Sequence, residues 1–330
     1  MDAKPERVLS GMRPSGRLHL GNYFGALKNW VDLQEGYRCF FFVADWHALT
    51  TDYDDTGDLQ TLITEMAVDW MAAGLDPERS TIFVQSRVPE HAELHLLFSM
   101  ITPLAWLERV PSYKEQQQEM THVDLGTYGF LGYPLLQAAD IVIYKANWVP
   151  VGVDQVAHIE LTREVVRRFN HISKSEVFPE PAPRLTEVPK LPGTDGRKMS
   201  KSYGNAIYLG DEGEPLRQKI MTMVTDPARK RRNDAGDPDV CPVYDLHKVF
   251  SSDDELKWAA QGCRTAEIGC VDCKKVLHAN LTEMLGPIQE RRRKILADPD
   301  SVRDVLEEGS RKAREEARKT LDEAKAAMHL

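Results

Sequence analysis

Two segments of the sequence, far apart in the chain, carry side chains that suit phosphate binding. The first is 14–22, PSGRLHLGN, in which a glycine-containing loop leads to the predicted start of a helix. Backbone N–H groups and the positive end of the helix dipole point at an anion in such a position. His19 and Asn22 can donate hydrogen bonds to phosphate oxygens, and Gly21 permits close approach to the backbone. A capped helix start would give the same pattern without binding.

The second segment is the loop 193–202, GTDGRKMSKS, which places Lys198 and Lys201 in glycine-flanked sequence. When ATP is split at its α-phosphorus, negative charge accumulates on the β- and γ-phosphates. Mobile ammonium groups that meet this charge only in the transition state lower the barrier. The loop therefore predicts chemistry on a triphosphate, with a solvated lysine-rich loop as the alternative.

Three short runs rich in β-branched or aromatic residues predict buried parallel strands, each followed by sequence with apolar residues at helical spacing. The strands are predicted at 7–10, 39–45 and 81–85, and the helices at 20–33, 59–73 and 92–100. This alternation predicts the α/β class, with a Rossmann-like doubly wound parallel sheet. Such folds bind ligands beyond the carboxyl ends of their strands, so the residues just after Ser10, Ala44 and Gln85 are the first candidates for a site.

The second half of the sequence has a different pattern. The segment 177–196 contains five prolines, which exclude a regular helix or a central strand, and it predicts a linker leaving the nucleotide-binding core. From Asn205 the apolar spacing is helical up to residue 330. We therefore expect a catalytic domain at 1–195. The remainder, 196–330, is expected to hold the lysine loop and an all-α domain whose last helix can pack back on the catalytic domain.

Size, composition and charge are those of a soluble protein with two cores, or with one large core and an appended lobe. Of the 330 residues, 42% are hydrophobic and 28% charged, and no apolar run reaches the roughly 18 residues of a membrane span. The segment 1–7 is charged where a signal peptide would be apolar, so the expected compartment is the cytoplasm. The net charge of −9 argues against binding nucleic acid over a whole face. Two basic clusters, 229–232 and 291–294, could contact a phosphate backbone locally.

Four of the five cysteines lie close together in the predicted helical domain, at Cys241, Cys263, Cys270 and Cys273. Disulfides are not expected in the cytoplasm, and a C-x2-C pair with two further thiolates makes a four-sulfur metal site instead. Tetrahedral Zn²⁺ and a [4Fe-4S] cluster both take such ligands. The single C-x2-C pair favours the iron–sulfur cluster over zinc, and free buried thiols are the third alternative.

The two phosphate-binding segments together resemble the HIGH and KMSKS signatures of the class I aminoacyl-tRNA synthetases. The matching segments are 19–22, HLGN, and 198–202, KMSKS, and the resemblance continues through 43–50, VADWHALT, 133–140, YPLLQAAD, 150–155, PVGVDQ, and 158–163, HIELTR. It covers nearly the whole chain and is similar to the tryptophanyl members of that class. It implies ATP-dependent activation of L-tryptophan as an adenylate, then transfer to the 2′-hydroxyl of the 3′-terminal adenosine of tRNA(Trp).

The resemblance also implies a role for individual positions. The expected catalytic residues, which act with Mg²⁺ on the triphosphate, are His19, Asn22, Lys198, Ser200 and Lys201. The expected ATP-binding residues are His19, Asn22, Lys198, Ser200 and Lys201 again, with Arg13, Pro14, Ser15, Gly16, Gly21, Gly152, Asp154 and Met199. In the expected tryptophan site Asp140 accepts a hydrogen bond from the indole N–H, and Tyr133 and Gln155 hold the α-ammonium or carboxylate. Gln137 and His47 complete that site.

Some positions depart from the family pattern. Asn22 stands where many class I enzymes have a second histidine, as it does in other tryptophanyl members. Arg13 and Val153 stand where many bacterial relatives have glutamine and glutamate, which affects substrate contacts and not the reaction type. The resemblance further implies the four-cysteine [4Fe-4S] site of certain bacterial members and a homodimer formed through 106–133.

Three other functions are compatible with parts of the sequence. A tyrosyl-type synthetase shares the fold and a pocket aspartate. A noncatalytic metal-binding RNA module would use only the helical domain, but the intact 198–202 loop argues against it. A small-molecule adenylyltransferase would share the nucleotide loop, but it would have no need of so long a helical C-terminal half.

Overall fold

The computed structural model describes residues 5–111, 113, 124–185, 189 and 191–330, and the following statements concern these residues. They form one parallel sheet with the strand order β3-β2-β1-β4-β5. The strands are β1 Arg7–Met12, β2 Arg38–Val43, β3 Ser80–Val84, β4 Trp148–Val151 and β5 Ala182–Leu185. This is the order of a doubly wound nucleotide-binding sheet, and it confirms the predicted Rossmann-like α/β fold.

Helices flank the sheet and make up most of the second half of the chain. They are α1 at 20–33, α2 Asp45–Leu49, α3 Leu59–Ala73, α4 Glu90–Ser99, α5 Leu104–Glu108, α6 Tyr128–Ile143, α7 Val156–Ser173, α8 Gly213–Thr222, α9 Pro242–Phe250, α10 Asp253–Arg264, α11 Cys270–Leu296 and α12 Pro299–Ala327. Single 3-10 turns occur at Gln85–Arg87, Val153–Gln155 and Pro238–Val240. Within the described ranges, no helix has the length and apolar character needed to cross a membrane.

The predicted strands and helices of the first half lie within a few residues of their observed positions. β2 ends at Val43, before its predicted end, because Asp45 already begins α2. α1 follows the predicted range and includes a π-helical turn at Tyr23–Leu27. The strand β2 is buried from Cys39 onward, as expected for a central parallel strand that is covered on both faces.

The sheet separates two apolar layers, and the alternation along β2 divides its side chains between them. On one face Phe41 stacks on Trp30 with ring centroids 4.8 Å apart, and Trp70 meets Trp30 edge to face. On the other face Phe40 stacks on Tyr144 at 4.7 Å. Because successive strand residues point to opposite faces, this one strand anchors both halves of the core.

The strand β5 lies within the proline-rich segment that the sequence predicts as a linker. It pairs with β4 alone, at an edge of the sheet. Pro183 is tolerated there because an edge strand has one side on which no backbone N–H is needed. The segment contains neither a helix nor a central strand, as expected, but it adds a strand that the linker interpretation misses.

The last helix, α12, packs against β3 of the sheet. A Cβ atom added to Gly309 would overlap the carbonyl oxygen of Ile82, so the two backbones are in direct contact. Next to it, the Val84 N–H donates to Ser310 Oγ at 3.4 Å. Nearer the end of the helix, Arg314 and Arg318 each donate to Glu90 in α4 at 2.9 Å. The end of the chain therefore contributes to the nucleotide-binding fold.

We expect Gly309→Ala to lower the free energy of unfolding by about 1–3 kcal/mol, because the added methyl group can be accommodated only by moving backbone. The matched control is Gly129→Ala in α6, where the added Cβ meets no described atom within 4 Å. Urea denaturation of both variants measures the difference. Equal stability of the two would contradict the close packing of α12 on β3.

Candidate active site

A cavity of about 340 Å³ opens at the carboxyl ends of β1, β2 and β4. β1 and β4 lie on either side of the point where the strand order reverses, which is where doubly wound sheets bind ligands. All five side chains predicted to bind tryptophan line this cavity, namely His47, Tyr133, Gln137, Asp140 and Gln155. Arg13 and Gly152, predicted to bind ATP, line it as well.

The walls of the cavity are mostly apolar. They are formed by side chains from β1, α1, β2, α6 and β4, including Leu9, Trp30, Phe42, Ile141 and Val149. A Cβ atom at Gly11 would lie 2.5 Å from the ring of Phe42, so glycine leaves room for that ring. Apolar walls with fixed polar groups among them are suited to a large hydrophobic side chain that also carries a polar atom.

Asp140 is the acidic group of this cavity and is completely buried. Its carboxylate lies 2.7 Å from His47 Nε2 and 2.6 Å from His91 Nδ1, and it accepts hydrogen bonds from Gln85 Nε2 at 2.9 and 3.0 Å. Burial alone would raise the pKa of Asp140, but the hydrogen bonds of His47 and His91 outweigh it and hold the pKa below its usual value. Asp140 is therefore an ionised acceptor.

The sequence did not identify His91 or Gln85 as parts of the site. Gln85 follows directly after β3 and could have been found from its place at the carboxyl end of a strand. His91 lies in the first turn of α4, and its neighbours in the sequence give no sign of a role.

A second buried histidine, His158, orders the other side of the cavity. Its Nδ1 lies 2.8 Å from Gln137 Oε1, and its Nε2 lies 3.5 Å from Tyr133 Oη. Burial, with a smaller contribution from His47, lowers the pKa of His158 to about 4. The neutral ring therefore donates from Nδ1 to Gln137, which leaves the amide N–H groups of Gln137 as donors.

The low pKa of His158 predicts a loss of stability in acid. Its pKa falls from 6.5 to about 4 on folding, so the unfolded chain binds more protons between these values. The stabilising contribution of the neutral ring is complete above about pH 6.5 and is lost as the pH falls through about 4. We expect the free energy of unfolding to fall more steeply over this range in the wild type than in His158→Gln. Urea titrations at several pH values measure both slopes, with His171→Gln, at an exposed position, as the control. Identical slopes in all three would contradict the prediction.

The segment 14–22 forms a capped helix start. His19 is the N-cap of α1, and its Nδ1 accepts a hydrogen bond from the backbone N–H of Asn22 at 3.3 Å. In return Asn22 Oδ1 accepts from the His19 N–H at 3.1 Å. Because Nδ1 is an acceptor, the proton of a neutral His19 ring is on Nε2. Burial and the charge of Lys201 lower the pKa of His19 to about 4, so the ring is neutral near pH 7.

The lysine loop lies against this helix start. Lys201 Nζ donates to Ser15 O at 2.6 Å and to Ser15 Oγ at 3.1 Å. Beyond the loop, the Leu20 N–H donates to Ile207 O, and the Leu209 N–H donates to Leu18 O, each at 2.9 Å. Burial lowers the pKa of Lys201 to about 8. The two segments therefore lie side by side, with an ammonium group against the glycine-containing loop.

The remaining predicted ATP-site residues are less closely grouped. Pro14 and Ser15 line a neighbouring cavity, and Gly16 turns the loop with a φ of +90°, which favours glycine. Met199 is buried in the core, and the Ser200 N–H donates to Asn205 Oδ1 at 2.8 Å. Lys198 and Asp154 are both exposed, and neither lines the cavity that contains Asp140.

The four clustered cysteines lie near one another as free thiols. Burial raises the pKa of Cys273 to about 12, and the neighbouring thiols of Cys241, Cys263 and Cys270 contribute to the increase. Arg229 Nη1 lies 3.6 Å from Cys263 Sγ. In the described part of the chain, however, no group of three or more His, Cys, Asp or Glu side chains has the arrangement of a metal site. The structure therefore does not show the predicted four-cysteine metal site.

Both basic clusters contain arginines that stabilise the fold. Arg229 is buried and donates to Arg232 O and Ile268 O. Arg292 donates to the buried Asp69 at 2.8 Å. The exposed members, which could contact a phosphate backbone, are Lys230, Arg231, Arg232, Arg291, Arg293 and Lys294.

Comparison with known proteins gives one consistent family. The family described as tRNA synthetases class I (W and Y) matches residues 1–286. The tryptophan–tRNA ligase of Thermotoga maritima is 60% identical over 326 residues, covering 98% of this chain and 99% of that protein. The ligase of Deinococcus radiodurans is 48% identical over 326 residues, covering 97% of each. A solved tryptophanyl-tRNA synthetase from Campylobacter jejuni, complexed with ADP and tryptophan, is similar with a TM-score of 0.89 at 33% identity, covering 98% of this chain and 100% of that one. The chain therefore belongs to the class I tRNA synthetases of the tryptophan and tyrosine family.

Proposed function

We propose that this chain is a tryptophan–tRNA ligase. It activates L-tryptophan with ATP to tryptophanyl-adenylate and pyrophosphate, then transfers the tryptophanyl group to the 3′-terminal adenosine of tRNA(Trp). The observation that carries the proposal is the buried, ionised carboxylate of Asp140 in an otherwise mostly apolar cavity. An indole ring is apolar apart from a single N–H donor, so its chemistry complements this cavity. The ligases of the same name that match nearly the full chain support the proposal.

The cavity offers separate groups for the two ends of tryptophan. The indole ring lies among the apolar residues of β1, β2 and α6, and its N–H donates to Asp140. Tyr133, Gln137 and Gln155 also line the cavity and hold the α-ammonium and carboxylate groups. His158 accounts for the orientation of Gln137, because it occupies the amide oxygen and leaves the amide N–H groups to donate to the substrate carboxylate.

In the first step the tryptophan carboxylate attacks the α-phosphorus of MgATP. A bond forms between a carboxylate oxygen and phosphorus, the bond to the bridging oxygen of the β-phosphate breaks, and pyrophosphate leaves with its Mg²⁺. The nucleophile is already ionised, so this step needs no general base, and catalysis consists of positioning and charge stabilisation. Transfer to tRNA then proceeds, as the class implies, by attack of the 2′-hydroxyl on the adenylate carbonyl carbon. The ester bond forms, the bond from that carbon to the phosphate oxygen breaks, AMP leaves, and the hydroxyl proton passes to solvent.

Each phosphate-site residue has a defined task in that step. His19 donates from Nε2, and Asn22 donates from its side-chain amide, to the phosphate oxygens. Lys201 has a pKa of about 8 and is therefore still mostly protonated at pH 7. Its ammonium group leaves Ser15 and binds the β- and γ-phosphates. Lys198 and Ser200 on the same loop meet the charge that accumulates on the leaving pyrophosphate.

We also propose a metal site at Cys241, Cys263, Cys270 and Cys273, with a [4Fe-4S] cluster favoured over Zn²⁺. Its support is the proximity of four thiols, with the cation Arg229 beside Cys263, since positive groups near the sulfurs stabilise a cluster that carries net negative charge. The site would hold the helical domain together beside the exposed Lys230 and Arg231, where the tRNA anticodon would bind. Anaerobically purified protein should absorb at about 400 nm and contain about four iron ions per chain. A colourless protein with bound zinc would show that the site binds Zn²⁺ and not a cluster. A protein without metal would show that the four cysteines are free thiols.

A homodimer is proposed through the surface around α5 and α6. Large apolar side chains are exposed there, at Leu96, Met100, Leu104 and Tyr128, and such patches mark interaction surfaces. Part of the predicted interface, 114–123, lies outside the described residues. Light scattering on the purified protein measures the mass, and a monomer at all concentrations would end this proposal.

The function is tested by ATP–pyrophosphate exchange with each of the twenty amino acids. We expect exchange with tryptophan, because only its side chain combines a large ring with one N–H donor for Asp140. Exchange with tyrosine alone would instead support the tyrosyl-type enzyme. Exchange with none would favour the noncatalytic RNA-binding alternative.

A further inference from the structure

A chain of buried polar side chains extends from Asp140 away from the cavity. His91 Nδ1 lies 2.6 Å from Asp140 Oδ1, and His91 Nε2 lies 2.7 Å from Tyr144 Oη. All three side chains are completely buried. Neither His91 nor Tyr144 lines the cavity, so their hydrogen bonds act on a ligand there through Asp140.

The donors and acceptors in this chain determine where its protons are. An ionised Asp140 can only accept, so the Nδ1 of His91 that faces it carries a proton. A neutral ring then presents Nε2 as an acceptor, and the hydroxyl of Tyr144 donates to it. Tyr144 therefore selects the tautomer of His91 that donates to Asp140.

Three donors from three separate elements fix the position of the carboxylate. His91 comes from α4, Gln85 from the end of β3, and His47 from α2. Of these, His47 lines the cavity, whereas His91 and Gln85 approach from the protein interior. The charge of Asp140 also acts on two titratable neighbours, His95 and Tyr144. The side chain is thus held from behind while it lines the cavity.

The state of this carboxyl group decides which ligand it can bind. A buried carboxyl group that lacks donors becomes protonated, because burial disfavours the charged form. A protonated Asp140 would keep one neutral carbonyl oxygen as an acceptor, which binds an N–H more weakly than a carboxylate does, and its O–H would repel an N–H that faced it. An ionised Asp140 presents an acceptor, and a ligand without a donor leaves that acceptor unpaired at a cost.

We propose that His91, with its tautomer fixed by Tyr144, is a positioning residue that keeps Asp140 an oriented hydrogen-bond acceptor and thereby sets the preference for a side chain with an N–H donor. The inference rests on the proposed function, since it takes the indole ring as the partner of Asp140.

The test compares tryptophan with β-(1-benzothiophen-3-yl)alanine, in which sulfur replaces the indole N–H, in ATP–pyrophosphate exchange. In His91→Leu we expect kcat/KM for tryptophan to fall about 10- to 100-fold. The change should be mainly in KM, because the lost interaction exists in both ground and transition states. The value of kcat/KM for the sulfur analogue should change by less than about 3-fold. The discrimination, which is the ratio of kcat/KM for tryptophan to that for the analogue, should therefore fall about as much as kcat/KM for tryptophan does.

Two further variants separate positioning from a structural role. In His91→Asn the side-chain amide can donate near the position of Nδ1, so most of the discrimination should return. Tyr144→Phe removes the group that selects the tautomer, and it should lower the discrimination by about 3- to 10-fold while making only a small change in the core. Tyr37→Phe is the matched control, because its hydroxyl accepts from Arg184 at the edge of the sheet.

The pH profile provides a readout that a merely structural role would not change. Loss of the His91 donor raises the pKa of Asp140, so tryptophan activation by His91→Leu should decline relative to the wild type as the pH is lowered from about 8 to about 5.5. The inference would be overturned if the variants lost equal activity with both substrates. It would also be overturned if the discrimination and the pH profile were unchanged in His91→Leu and Tyr144→Phe. In either case the proposed function would still stand. Failure of the wild type to activate tryptophan would overturn both.

Discussion

Asp140→Ala is expected to lower kcat/KM for tryptophan in pyrophosphate exchange by about 10³-fold or more. The substitution removes the acceptor for the indole N–H and leaves the donors of His47, His91 and Gln85 without their shared partner in a buried site. Sites built around a buried hydrogen bond discriminate strongly for this reason, because burying either the donor or the acceptor without its partner costs free energy.

The matched control for this variant is Asp32→Ala. Asp32 is an exposed carboxylate of α1 that pairs with Lys28 at 3.3 Å, and surface pairs of this kind contribute little. Its kcat/KM should equal that of the wild type within about 2-fold. If Asp140→Ala still preferred tryptophan over phenylalanine to the wild-type extent, Asp140 would not be the recognition group.

Lys201→Ala is expected to lower kcat by about 10²- to 10³-fold while KM for tryptophan stays within a few-fold. Lys201 is the loop lysine that lies against the 14–22 segment, through Ser15. Its ammonium group meets the charge that develops on the leaving pyrophosphate, so its loss is felt in the transition state and not in binding of the amino acid.

Single-turnover formation of the adenylate measures this effect apart from product release. Lys257→Ala, in the exposed face of α10, is the control and should react like the wild type. A loss that appeared only in KM for tryptophan would place Lys201 in the amino acid site, which contradicts the assignment.

The parts of the fold that the sequence predicted are those with a strong local pattern. β2 was recognisable because the run from Cys39 to Val43 is apolar throughout, as a strand covered on both faces requires. β5 escaped notice because Pro183 breaks the strand pattern, and only its pairing with β4 at the sheet edge makes proline acceptable there.

The motifs predicted the residues that line the candidate site. They did not predict the hydrogen bonds between site residues that are far apart in the sequence. His91 and Tyr144 are 53 residues apart, one in α4 and the other directly after α6, so neither alone indicates a polar chain. His158 was within a quoted motif, but its contact with Gln137 depends on how α6 and α7 pack. Hydrogen bonds of this kind are set by tertiary structure, which local periodicity does not encode.

The meeting of the two phosphate-binding segments has a physical basis that was not visible in the motifs. Leu18, Leu20, Ile207 and Leu209 alternate with the polar residues and are fully buried. They hold the two extended segments together by backbone hydrogen bonds and apolar contact. Met199, also buried, anchors the loop between its lysines. The reactive side chains are thus carried by short stretches that are fixed on both sides.

The account is tested most directly by a crystal structure of the protein with a nonhydrolysable tryptophanyl-adenylate analogue, tryptophanyl-sulfamoyl adenosine. We expect the indole nitrogen at about 3 Å from a carboxylate oxygen of Asp140, with the sulfamoyl group between His19 and Lys201. An indole ring bound outside the cavity lined by Asp140, or a sulfamoyl group remote from both His19 and Lys201, would contradict it.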